Sequence, residues 1–151
     1  MRTFLTLFVL LFFALSTLTA QKGLAGLWEG TLTWGGLHNT QTYKFELLIQ
    51  VEGNKVRGRS YIHLPEGEVL EMDVRGYFYQ DRSIAFRDIE FIPPVGSELD
   101  PRFYRKYQLI YNRSIFGSTL EGYWQEIITS PFDEYRDRGK ITLKKKDASK
   151  A

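Results

Sequence analysis

After Gln21 the apolar positions fall on every second residue almost without interruption, and no stretch of about a dozen residues keeps the spacing of a helix face. A strand over 24–34 places Leu24, Gly26, Trp28, Gly30, Leu32 and Trp34 on one face and Glu29, Thr31 and Thr33 on the other. A second strand over 42–51 groups Tyr43, Phe45, Leu47, Ile49 and Val51 against Lys44, Glu46 and Gln50. Glu52-Gly53-Asn54 is a tight-turn signal, after which strand 55–64 sets Val56, Gly58, Ser60, Ile62 and Leu64 against Arg57, Arg59, Tyr61 and His63.

Pro65-Glu66-Gly67 turns the chain into strand 69–79, where Met72, Val74, Gly76 and Phe78 oppose Glu71, Asp73, Arg75 and Tyr77. In strand 83–92 the apolar phase runs through Ile84 and Phe86 and resumes at Ile89 and Phe91. A slip of one residue near Arg87-Asp88 predicts a β-bulge there. Segment 93–101, with Pro93, Pro94 and Pro101, is the one substantial loop and serves as a rim, a lid or a plain connector. Strands 103–112, 118–128 and 139–146 complete a count of eight.

Eight strands of about ten residues with short connections predict an all-β, single-domain, antiparallel up-and-down barrel, with a two-sheet β-sandwich as the alternative. The second face is charged at Lys44, Glu46, Arg57, Arg59, Glu71, Asp73 and Arg75. A barrel spanning a membrane would turn those residues to lipid or into a lumen too narrow for the opposing aromatic set. The economical arrangement has the apolar set inside and the charged set in water.

The first twenty residues do not share this pattern. Arg2 followed by the apolar run 4–15 and by Ser16-Thr17-Leu18-Thr19-Ala20 reads as a cleavable secretory leader, and the run is too short for a membrane anchor. The expected organisation is a signal peptide over 1–20, a barrel domain over 21–146 and a polar tail over 147–151. The working protein is then exported, to the periplasm or the extracellular space, with no membrane insertion after cleavage. A formal net charge of +2, which falls by one when Arg2 is removed, gives no reason to expect nucleic acid as a partner. The absence of cysteine rules out disulfides, thiolate chemistry and a lipid anchor on cysteine.

Candidate chemistry is sparse. His38 and His63 stand apart with no third ligand, so no metal site is expected, and no phosphate loop, nucleophile elbow or dinucleotide fingerprint implies a cofactor or a catalytic residue. The carboxylates of Asp133-Glu134-Tyr135-Arg136-Asp137 are the nearest approach to a hydrolase pair, but a linear cluster in a loop is weak support for that geometry. The aromatic content of 15% supplies flat contact surface on the inward phase. Candidate ligand-binding residues are Trp34, Tyr43, Phe45, Arg105, Tyr107, Tyr111, Trp124 and Glu126. Arg105 alternates with Tyr107, and Glu126 alternates with Trp124, so each is a charge on an apolar phase. Either they anchor the polar end of a ligand, or they lie at strand ends in water or pair with each other.

Gly26-Leu27-Trp28 at the start of the first strand, ahead of a seven-strand meander, resembles the opening of lipocalins and avidin-like proteins. The resemblance implies a small, mostly apolar ligand inside the barrel. It also implies a structural role for Trp28 at the closed end beneath an arginine from late in the chain, with Arg136 or Arg138 as candidates. The function expected from these readings is non-catalytic binding of a small apolar or amphipathic molecule. The alternatives are a side-chain-filled barrel that binds another envelope protein through exposed tyrosines such as Tyr61, Tyr77, Tyr79, Tyr104 and Tyr123, and a hydrolase.

Overall fold

The computed structural model describes residues 23–35, 41–130 and 136–146. The expected leader and polar tail, His38 and the carboxylates Asp133 and Glu134 lie outside the described residues. Eight strands occur in the described chain: β1 Gly26–Trp34, β2 Gln41–Glu52, β3 Lys55–His63, β4 Val69–Phe78, β5 Ser83–Ile92, β6 Arg105–Asn112, β7 Thr119–Glu126 and β8 Arg138–Lys145. They pair in chain order, each antiparallel to the next, and β8 returns to β1, so the sheet closes into an up-and-down barrel and not a sandwich.

Closure follows from the alternation. Alternate residues of the strands point to a common interior, and among the described residues twenty apolar side chains are buried there, Trp28, Trp124, Tyr107 and Phe45 being the largest of the apolar ones that are completely enclosed. The charged set faces outward and pairs across strands, Arg59 with Glu71 at 2.7 Å and with Asp73 at 3.3 Å, and Lys146 with Glu29 at 2.6 Å. Gly58, Gly76 and Gly122 lie on the inward phase, but they do not leave room for a ligand. A β-carbon there would meet a carbonyl oxygen of the adjacent strand at 1.8 to 2.0 Å, so these glycines let neighbouring strands approach and coil.

Two local departures from the sequence expectation shape the floor and the mouth of the barrel. The first strand begins at Gly26, with Gly23 and Leu24 in a helical conformation before it. Gly26, at φ +124°, makes the corner that tucks fully buried Leu24 under the barrel. In β5 the bulge is present, one residue later than expected. Val74 pairs with Asp88 and Asp73 with Glu90, leaving Ile89 as the extra residue. The inward phase Ile84, Phe86 therefore continues through Asp88, whose carboxylate is carried into the interior.

The two ends of the barrel differ. One is closed by the tight connections 53–54, 79–82 and 113–118 and by the Leu24 turn. The other is the end from which the longer connections β1–β2, β3–β4, β5–β6 and β7–β8 depart, and is called the mouth. Most of the half-buried apolar side chains packed on the core belong to the mouth: Trp34, Tyr43, Leu64, Phe91, Leu99 and Phe103.

Candidate functional site

At the closed end the chain builds a plug. The Trp28 indole Nε1 donates to the Leu24 carbonyl at 2.9 Å, its ring meets Tyr111 edge-on at 5.9 Å, and the Lys145 ammonium lies 5.8 Å from its centroid. Lys145 also donates to the Gly23 carbonyl at 2.5 Å, so it ties β8 to the turn beneath the barrel. A cation from late in the chain does cover Trp28, but it is Lys145. Arg136 reaches toward Gln125 at 3.4 Å and Arg138 is exposed at the mouth-end start of β8. The register explains the choice, because Trp28 is paired directly with Lys145.

At the mouth the structure assembles a different cluster. Arg105 opens β6 and Asp88 stands just past the middle of β5, and both are buried, with side chains 2% and 0% exposed. The β5–β6 ladder stops at Arg87 and Lys106. Beyond it the Asp88 carboxylate replaces the missing strand: Oδ2 accepts the Arg105 backbone N–H at 2.8 Å and Oδ1 accepts the Tyr107 hydroxyl at 2.9 Å. Tyr107 is held in place by stacking on Phe86 at 4.5 Å and on Phe45 at 6.2 Å.

With its oxygens engaged in this way, Asp88 holds the Arg105 guanidinium only loosely, at 3.6 Å from Nη1, too long for a hydrogen bond. The guanidinium carbon lies 4.9 Å from the Phe103 ring centroid, 5.3 Å from Trp34 and 5.4 Å from Trp124. Three aromatic faces favour the cation but supply no acceptor, and Nε and Nη1 are buried without a hydrogen-bond partner among the described residues. Burial pushes the Asp88 carboxyl up to about 6 against the opposing pull of Arg105, and the same burial, next to Asp88, holds the Tyr107 phenol well above its ordinary value. Tyr107 is therefore a hydrogen-bond donor across the ordinary pH range.

The opposite seam of the mouth is also closed by side chains. The β1–β8 ladder stops at Leu32 and Ile141. Next to it the Trp124 indole donates to the Thr33 carbonyl at 2.8 Å, while the Lys140 N–H donates to the Thr33 hydroxyl at 2.8 Å. Gly139 is required at this point, since a β-carbon would meet the Thr33 oxygen at 1.7 Å and the Trp124 indole nitrogen at 2.5 Å.

Of the candidates from the sequence, Trp34, Tyr43, Arg105 and Trp124 come together at the mouth, with Trp34 touching Tyr43, Phe103 and Trp124 edge-on. Phe45 and Tyr107 form the floor below them. Tyr111 is not part of this group; it packs on Trp28 and Phe78 at the closed end. Glu126 is opposite Arg105 in register but does not pair with it, accepting instead the backbone N–H of Asp137 at 3.1 Å. Asp88 is the residue that sequence reasoning missed. The run Ile84, Phe86, Asp88 carried the signal, at the same spacing of two that identified the other inward residues.

Other chemistry is thin. Among the described residues no group of three histidine, aspartate or glutamate side chains is placed to hold a metal ion, and His63 lies beside Glu46 on the outer face at 3.4 Å. Two grooves lie on the outside of the barrel. One, of about 990 Å³, runs over β5 to β8 and includes Tyr79, Ile110 and Tyr123; the other, of about 680 Å³, lies over the Thr33–Lys140 seam and reaches Trp124 from outside. Comparison with protein-family models, with curated proteins and with solved structures gave no match. The functional reading therefore rests on the chemistry of the barrel itself.

Proposed function

We propose that the chain is an exported, non-catalytic binding barrel, related in kind to lipocalins and avidin-like proteins, that takes a small amphipathic molecule at its mouth. The apolar part packs against Trp34, Tyr43 and Phe103, and the polar end faces Arg105. The observation that carries this reading is the guanidinium of Arg105, buried within three aromatic rings with two nitrogens lacking an acceptor among the described residues, at the end of the barrel from which the longer connections depart and where half-buried apolar side chains gather. A buried cation held this loosely is costly to a fold that needs only a plug. The closed end achieves the same closure with Trp28 and a lysine that reaches a carbonyl. The interior below Tyr107 is filled by side chains, so binding is confined to the mouth half. Export to the periplasm or the extracellular space is supported by the leader pattern over 1–20.

The test is native mass spectrometry of the protein isolated from its natural host. The expected result is a stoichiometric small-molecule adduct, lost in Trp34→Ala. A bare mass both on isolation and after incubation with a total lipid extract of the host contradicts the proposal. The alternative of a protein-binding module draws on the outer groove over β5 to β8, where Tyr123 is 62% exposed and Tyr79 47% exposed. Of the other tyrosines expected to serve it, Tyr77 is 49% exposed and stands in β4 opposite Ala85 at the border of this groove, whereas Tyr104 lies at the mouth and Tyr61 is half-buried.

A further inference from the structure

Among the buried polar groups, Arg105 imposes the sharpest demand on whatever fills the mouth. Among the described residues its Nε has no acceptor, and its Nη1 has only Asp88 at 3.6 Å, a carboxylate already engaged by the Arg105 backbone and by Tyr107. Phe103, Trp34 and Trp124 surround the cation with ring faces, so any acceptor that reaches it must be small and must arrive from the mouth. Phe103, near the end of the 93–104 connection, and Trp34 are only partly buried, so these two rings stand between the cation and the mouth.

We propose that the polar end of the ligand is a carboxylate, received at Arg105 Nε, while Nη1 stays with Asp88 and the aliphatic or aromatic tail lies against Trp34, Tyr43 and Phe103. The inference rests on the binding reading above and names the chemical class that the same site selects. The reasons are physical. In a site with little water, a hydrogen bond from guanidinium to an anion is shorter and stronger than one to a neutral oxygen. Asp88 already supplies one negative charge beside the cation, which disfavours a dianionic head such as a phosphate monoester.

The experiment compares decanoate, decanol and methyl decanoate by titration calorimetry with the protein produced from its full-length chain. Decanoate is expected to bind at least about tenfold tighter than the other two, which share its tail but lack its charge. In Arg105→Gln that preference is expected to disappear while binding of decanol persists. Arg105→Lys, which keeps the charge, is expected to retain part of the preference and covers the case in which the glutamine variant does not fold. Equal binding of all three probes by the unaltered protein overturns the carboxylate assignment and leaves the binding reading standing. Binding of none of them overturns both. A preference for decanoate that survives intact in a folded Arg105→Gln protein overturns the role given to Arg105.

Discussion

Replacing Asp88 by asparagine asks whether the Asp88–Arg105 pair stabilises the barrel or is stabilised by it. The carboxyl is fully buried, it takes its two hydrogen bonds from Tyr107 and from the Arg105 backbone, and the guanidinium stands off at 3.6 Å. Attraction at that distance does not cover the loss of water, and the Asp88 pKa accordingly rises from 3.8 to about 6. Between those two values the folded protein holds a proton at Asp88 that the unfolded chain has released, so raising the pH through this window costs stability. Each tenfold change in proton affinity is worth about 1.4 kcal/mol, so the wild type is expected to lose about 2 to 3 kcal/mol relative to Asp88→Asn between about pH 4 and about pH 7.5.

The comparison with the variant matters because the carboxylates of Glu46 and Asp81 are shifted downward by their partners, and their contributions fade only at more acidic pH. These cancel in the difference. The assay is urea unfolding of both proteins across that pH range, followed by tryptophan fluorescence. If the wild type gained stability over the variant as the pH rose, the pair would be a net stabilising bridge and the reasoning from burial would be refuted.

Other consequences can be checked separately. Trp28→Ala removes a fully buried indole, its hydrogen bond to Leu24 and its contact with Lys145, and is expected to cost about 3 to 5 kcal/mol in urea unfolding while leaving affinity for decanoate unchanged. Trp34→Ala, at a half-buried ring of the mouth, is expected to cost less stability but to weaken decanoate binding by about tenfold, read by calorimetry. Trp124→Phe keeps an aromatic ring and deletes the bond to the Thr33 carbonyl. It should cost about 1 to 2 kcal/mol and speed amide exchange at Lys140 and Thr33, where the β1–β8 seam depends on that bond. Decanoate affinity should rise as the pH falls from about 7.5 to about 6, because protonation of Asp88 relieves the repulsion between two carboxylates sharing one guanidinium.

Much of the barrel was legible because its strands alternate so regularly. Phe45, Leu47 and Ile49, or Tyr107, Leu109 and Tyr111, leave no choice of inward face, and the pairing in chain order follows once the connections are short. The bulge in β5 was legible too, as a phase slip, but its consequence was not. Apolar residues on both sides of the slip drew attention away from Asp88, which continues the first phase and enters the core as an acid. Arg105 was visible as a charge on an apolar phase, yet its partner was not, because register placed Glu126 directly opposite and only the geometry of the mouth turns Glu126 to Asp137. The exchange of Lys145 for Arg136 or Arg138 over Trp28 is a matter of register across the β1–β8 closure, which no local pattern encodes. Tyr111 and Trp34 read alike in sequence and end up at opposite ends of the molecule, since alternation fixes the face of a strand but not the depth at which a ligand stops.

A mouth that binds and a closed end that only plugs make different demands on the three tryptophans of the chain, and each indole N–H reports on its own end. In a ¹H–¹⁵N spectrum of the protein titrated with decanoate, the indole signals of Trp34 and Trp124 are expected to shift with a common saturation curve while that of Trp28 stays in place. No shift at saturating decanoate, or a shift confined to Trp28, would contradict that division of the barrel.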